Sequence, residues 1–530
     1  MKKLMILKGL VVMIVSVMLS VSLSIASEGR ENELIKGENH HIRTLDPIKP
    51  ISVQAAALIH QMYDSLVSYN KDNPAKPLPN LAQRWDVNSD STEWTFYLRK
   101  GVKFTSGNEL TAKDVVYSIT RGIKGDFPVY PPLKNYIDPD TGFTVVNDYT
   151  VKMNLKVGYA GFLFLLGSVG ASVLDKVALE KITTDDDPIG SLHLNDNSLG
   201  SGPFLLKKWE REERVTMVKN PNYWGIKAGY HRVPIYQTFI SLNVKEPTVQ
   251  KMMLERGDID FTIELTKDIV DDYARKQEKD VKIIKYNRYV GTSILMNPKH
   301  PPFADPSVRN AVRHAIDYDT IIKELLSAVR MDRPIFKPMV GTDDSILYNY
   351  DLAKAKSYMA ASKFPNGFDF TIFIGTGIGL GADWETLALK LQSDLSKIGI
   401  NMKIEQYEWS VMDEKLFSGS YNAQLNWFGT LWAETEGIIS LAARSEGIIL
   451  KDNGYSNAEV DRLADLAVQE SDTGKRFELL MKINRIFAKN GPNAFIAQEL
   501  SNFVCRKDIH GFDGNPDSAL QDYAVLYRRR

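Results

Sequence analysis

The run Gly377-Ile378-Gly379-Leu380-Gly381-Ala382 fits the GxGxxA spacing that lets a backbone approach a pyrophosphate, and it stands between a strand-like and a helix-like stretch. Glu405, at the end of the next strand-like stretch, falls about where a ribose-binding acid belongs. One reading is therefore a nucleotide-dependent enzyme. A plainer one is that Gly377 and Gly379 precede a helix whose free N–H groups line a cleft and attract an anionic group. The plainer reading is preferred because no second strand–helix set follows to complete a nucleotide domain. Metal and hydrolytic chemistry find less support. On an extended segment His40 and His41 point to opposite faces, and the other histidines are scattered singly. No HExxH or GxSxG occurs. The single cysteine, Cys505, excludes an intrachain disulfide and any cysteine-clustered metal site. A glycosidase pair of carboxylates cannot be read from sequence, and most acids are expected on a solvated surface. No metal, cofactor or catalytic residue is expected.

The tryptophans are more informative. Trp384, Trp409, Trp427 and Trp432 are four of the eight in the chain, gathered within residues 384–432. Trp384 belongs to an apolar helical stripe and is expected in a core. Trp409 and Trp427 sit beside polar neighbours at strand ends, where an aromatic platform for a ligand competes with core packing.

The elements that would hold these residues alternate in type. Phe368 to Ile374, Asp383 to Ile398 and Asn401 to Glu405 read as a βαβ unit. Trp94, Phe96 and Leu98 share one face of a strand. Thr111 to Asp114 resembles a helix start, and Asp305-Pro306 supplies an N-cap and a first-turn proline before Val308, Ala311, Val312, Ala315 and Ile316. The class is mixed α/β. Breaks are expected at 185–202, an acidic and then Asn/Gly/Ser-rich stretch, and at 297–302, where three prolines interrupt regular structure. No fixed-period repeat occurs.

The 530 residues suggest several domains, and 44% hydrophobic with 25% charged residues is a globular composition. Lys plus Arg number 65 against 66 Asp plus Glu, so bulk charge gives no hold on a nucleic-acid backbone. Residues 1–26 read as a cleaved export signal: a lysine-rich start, an apolar run from Leu10 to Leu19, and small residues at Ser24 and Ala26. Without a cysteine to follow the signal, a lipoprotein anchor is not expected. The mature chain is expected outside the cytoplasm, in the periplasm.

Several stretches in order resemble one family. They are Arg43-Thr44-Leu45-Asp46-Pro47, Asn80 to Trp85, Trp94 to Phe104, Leu110 to Val115, Gly200-Ser201-Gly202-Pro203-Phe204 with Asn220-Pro221-Asn222-Tyr223-Trp224, and Asp305 to Arg309 with Ala315-Ile316-Asp317. Together they resemble the extracytoplasmic solute-binding proteins, family 5, of peptide, oligopeptide and nickel ABC importers. The resemblance implies a two-lobed periplasmic-binding-protein fold with mixed sheets, a hinge, and an extra domain inserted in the first lobe. The expected boundaries are 27–67, 197–290 and 506–530 for lobe I, 68–196 for the inserted domain and 291–505 for lobe II. It implies a monomer that captures a peptide or peptide-like solute and delivers it to permease subunits. A sugar, oligosaccharide or metal-chelate ligand is the alternative. In peptide-binding relatives a Glu-Trp pair and a later Trp line the pocket, which match Glu408-Trp409 and Trp427; Trp432 joins this aromatic set, and Ser52 and Val53 border the cleft. Relatives usually carry Trp-x-x-Asp, whose Asp meets the ligand's ammonium. Here Thr430 stands in that place: Glu434 or Glu436 of the same loop is the candidate substitute, the alternative being that both are solvated and that the ligand is hydroxyl-rich or N-blocked.

Overall fold

The computed structural model describes residues 30–530 except 41, 51, 70–75, 126, 128–131, 377, 380–381, 431–433, 448, 513, 518–519 and 530. The expected signal segment, residues 1–26, lies outside the described residues.

After β1 (Glu33–Glu38), Ser52 caps α1 (Val53–Met62), its Oγ accepting the Ala55 N–H at 3.2 Å. The chain then builds a separate antiparallel sheet. Its strands β2 (Ala82–Val87) and β3 (Glu93–Leu98) are followed by α2 (Ala112–Gly125), β4 (Phe143–Asn147) and β5 (Thr150–Asn154), in the order β2-β3-β5-β4. Period-two alternation on β3 buries Trp94, Phe96 and Leu98 with Val115 and Ile119 of α2 in one core. Asp114 accepts both the N–H and the hydroxyl of Thr111, each at 2.8 Å, which fixes the start of α2.

The chain returns through β6 (Phe204–Glu210), β7 (Arg214–Lys219), β8 (Thr238–Asn243) and β9 (Phe261–Thr262) to the long β10 (Val281–Met296). Then come α3 (Pro306–Ala315), β11 (Phe368–Gly375), α4 (Trp384–Ser396), β12 (Ile400–Tyr407), α5 (Trp409–Ser418) and β13 (Ala423–Gly429). Three helices, α6 (Thr435–Ala442), α7 (Ala458–Gln469) and α8 (Thr473–Asn490), precede the long β14 (Asn493–Arg506). The expected βαβ unit is present, with β11 and β12 parallel from Phe368 opposite Ile400 to Gly375 opposite Tyr407. Asp305 caps α3 by accepting the Ser307 N–H at 2.8 Å, and Pro306 takes the first position.

One mixed sheet runs β12-β11-β13-β10-β14-β9-β1-β8-β7-β6, with residues 328–330 added on β14. Among the described residues only β10 and β14 pass from one half of it to the other. They pair over 281–287 with 500–506 and again over 291–295 with 493–498, and the register shifts between Asn287 and Gly291. Each half has its own core, one drawn from residues 289–497 and one from residues before 287 and after 502. Residues 500–505, expected in lobe II, therefore pair within the first half together with Arg506, which was expected there: the return begins midway along β14, because one continuous strand serves both lobes. The resulting architecture is two lobes joined by two strands, with a further sheet domain on the first.

Candidate ligand-binding site

The site grows from the strand crossover. Arg288, in the gap between the two paired stretches, meets Glu499 of β14 at 2.8 Å, each side chain 13% exposed. The Gln498 amide donates to Arg288 O (2.9 Å) and Lys337 O (2.7 Å) and accepts the Lys337 N–H (2.9 Å). Tyr289 donates its N–H to Pro516 O (3.0 Å) and accepts the Thr430 N–H at 3.3 Å. Thr430 is thus fixed by backbone to the junction of the lobes.

Three residues earlier, Trp427 lies opposite Thr292 on β10. Among the described residues β11 pairs with β13 only at Ala423 and Gln424, and the end of β13 pairs with β10 alone. The Trp427 side chain is 40% exposed while its neighbours Asn426 and Phe428 are buried. This ring is outside the core, whereas Trp384 is inside it, at 2%. Trp409, the first residue of α5, is intermediate. Its indole N–H donates to Thr376 O at 2.9 Å and its ring stands edge-on to Trp384 at 5.7 Å. The ring lies so close over Gly375 that a Cβ there would come within 2.4 Å of it. Packing therefore holds one face of Trp409 and leaves the remainder partly open.

Glu434 is not available in the way the sequence suggested. It is buried, with Oε2 accepting Tyr159 Oη–H (2.9 Å) and the Glu436 N–H (2.6 Å), and with the Arg476 guanidinium on Oε1. Glu436 is likewise committed, to Ser440 (2.7 Å) and Arg444 (3.1 Å). Burial pushes its carboxyl up to about 7, against the pull of Arg444 and Ser440 and with the charge of Glu434 adding to the rise. The sequence missed these partners because Tyr159 and Arg476 are remote along the chain.

Other expectations fare differently. Gly377 and Trp432 lie outside the described residues. Ile378-Gly379 and Ala382-Asp383 pair as a small hairpin between β11 and α4. A strand pairing thus stands between β11 and α4, where a pyrophosphate site needs a direct strand-to-helix turn. Ser52 and Val53 are half-buried at the start of α1. Next to them Gln54 donates to Glu264 at 3.2 Å, as do the Asn39 N–H (2.6 Å) and Gln250 (3.2 Å). Burial, reinforced by the charge of Glu38, raises the Glu264 pKa. This polar group collects beyond the carboxyl ends of the parallel strands β1 and β8, where α/β sheets open to ligands. It was legible only once that pairing was known. Among the described residues no three His, Cys, Asp or Glu side chains gather as a metal site.

Residues 76–448 match the sequence profile of the bacterial extracellular solute-binding proteins, family 5 Middle. The chain belongs to this family. This family 5 protein is 28% identical over 503 residues to the probable D,D-dipeptide-binding periplasmic protein DdpA of Escherichia coli K12, covering 91% of this chain and 92% of that one. Its fold matches the ABC transporter-associated periplasmic binding protein DppA from Helicobacter pylori in complex with peptide STSA, at TM-score 0.80 and 23% identity over 95% and 100% of the two chains. It also matches a dipeptide-binding protein from Pseudoalteromonas sp. SM9913 in complex with Met-Leu, at TM-score 0.80 and 21% identity over 94% and 100%. Among the described residues no helix is long and apolar enough to cross a membrane.

Proposed function

We propose that this family 5 protein captures a peptide or peptide-like solute between its lobes and delivers it to the permease of an ABC importer. It works in the periplasm as a monomer, after removal of its signal segment, without chemical turnover or a cofactor. The observation that carries the reading is the open ring of Trp427 three residues before Thr430, at the junction of the lobes. A half-desolvated indole supplies apolar area to a side chain, and the lobes supply backbone donors and acceptors. The similarity of DdpA and of the peptide-bound structures supports a ligand of this class. Mass spectrometry of small molecules released from the denatured purified protein tests it. A peptide or acylated peptide is expected; a nucleotide would overturn the reading.

Thr430 favours a second reading within it. A ligand ammonium buried in a closed cleft needs a carboxylate, a hydroxyl gives a neutral hydrogen bond, and Glu434 is already paired. N-blocked peptides or hydroxyl-rich ligands such as oligosaccharides then suit Thr430 better than free peptides. A thermal-shift comparison of dialanine, N-acetyl-dialanine and maltotriose distinguishes them. Stabilisation by dialanine alone would locate an anchoring carboxylate elsewhere in the cleft, with Glu264 the first to substitute.

A further inference from the structure

The inserted domain is fastened to the first lobe. Arg121 of α2 makes a two-pronged pair with the buried Asp46, at 2.9 and 2.7 Å, and the backbone joins at Val173 to Asp64 and at Thr105 to Gly200. These parts form one body. The second lobe is connected to it by β10 and β14, yet it also meets the inserted domain through residues outside those strands. Tyr159 Oη donates to Glu434, the Ala160 N–H donates to Val468 O at 3.3 Å, and Val468 of α7 is part of the inserted domain's core. Tyr159 is backed by Tyr136, stacked at 4.4 Å, and Glu434 is held from behind by Arg476 of α8.

We infer that Tyr159 and Glu434 form an inter-lobe latch that holds the closed arrangement of the two bodies. A rotation about β10 and β14 carries α6, α7 and α8 away from the inserted domain, so this contact must break for the lobes to part. Its hydrogen bond ends on a carboxylate already oriented by Arg476 and by the Glu436 N–H. The latch is therefore preorganised on the second lobe, and the phenol of Tyr159 completes it. Glu434 stands only four residues after Thr430, which ties the latch to the chain segment that borders the ligand site. Both residues act by positioning the lobes; neither need touch the solute. A hydrogen bond to a charged acceptor contributes enough that its loss should raise the open-to-closed ratio about tenfold or more.

The inference rests on lobe closure over a solute as proposed above, but its test needs no solute. Spin labels at Val146→Cys on the inserted domain and Ile346→Cys on the second lobe report the separation of the bodies by pulsed electron resonance. Both positions are exposed, whereas Cys505 is buried with its thiol pushed up to about 12 by that burial, which spares it from labelling. In the otherwise unaltered protein a short distance should dominate. Tyr159→Phe keeps the ring stack and removes only the hydroxyl; a longer-distance population should then rise about tenfold, with the melting temperature nearly unchanged. Glu434→Gln should act in the same direction, and its folding is checked by circular dichroism. Distance distributions that stay the same in Tyr159→Phe would overturn the latch while leaving the peptide-binding reading intact. Failure of dialanine and its acetylated form to bind would have the opposite consequence.

Discussion

Trp427 and Glu436 show how burial sorts residues of similar promise. In the proposed function the open indole of Trp427 meets the ligand, so Trp427→Ala should cost ~2 kcal/mol or more of binding, about thirtyfold in affinity for the ligand recovered from the protein. Its melting temperature should barely move, because little core area is lost; isothermal titration and calorimetry together read the two effects. Glu436 is the reverse case, a buried acid with no exposure to a ligand. Its folded pKa of about 7 lies above the ordinary 4.5, so the folded state holds the proton more tightly. The stability this contributes is complete below about pH 4.5, declines as the pH rises and is gone above about pH 7. Glu436→Gln imitates the protonated form at every pH. Denaturant titrations should show variant and parent alike near pH 4.5 and the variant more stable at pH 8, by on the order of 3 kcal/mol.

At the scale of elements, two arginines on α3 terminate α8. Arg309 donates to Asn490 O (2.8 Å) and Gly491 O (3.2 Å), and Arg313 engages Gly491 O and donates to Asn493 O at 3.0 Å. They satisfy carbonyls that a helix end leaves unpaired, and the helix dipole supplies part of the negative counter-charge for two buried cations. Burial lowers both guanidinium pKa values, Arg309 to about 10. Arg313→Met should destabilise the fold by about 2–4 kcal/mol in denaturant titration, since buried carbonyls would lose charged donors. The end of β11 illustrates a second constraint between elements. A methyl group at Gly375 would occupy space taken by Trp409, so Gly375→Ala should displace the start of α5. Near-UV circular dichroism should change at the tryptophan bands, and a spectrum identical to the parent would refute that packing.

For the whole molecule, the Asp46–Arg121 pair decides whether the inserted domain moves with the first lobe. Asp46 also accepts the Ser191 hydroxyl, so one carboxylate joins the chain before the insertion to α2 and to the segment that ends it. Asp46→Asn leaves Arg121 buried without its charge partner and should cost about 3–5 kcal/mol. The cost should fall on the domain junction, so scanning calorimetry should show the inserted domain melting ahead of the remainder. A single endotherm shifted as a whole would mean that the two parts unfold together.

Local rules in the sequence determined much of this protein. Alternation on β3, the Asp305 cap of α3 and the βαβ unit at 368–407 follow from spacing and side-chain chemistry acting over a few residues, and the ordered motifs identified the family. The sequence also put Trp427 three residues before Thr430. Tertiary structure alone decided which of the nominated groups remain open. Glu434 is paired because Tyr159 and Arg476 are brought to it from two other elements, and the Arg288–Glu499 bridge exists because two strands remote in sequence cross the lobe boundary together. A carboxylate's identity is local, but its partner is set by chain topology.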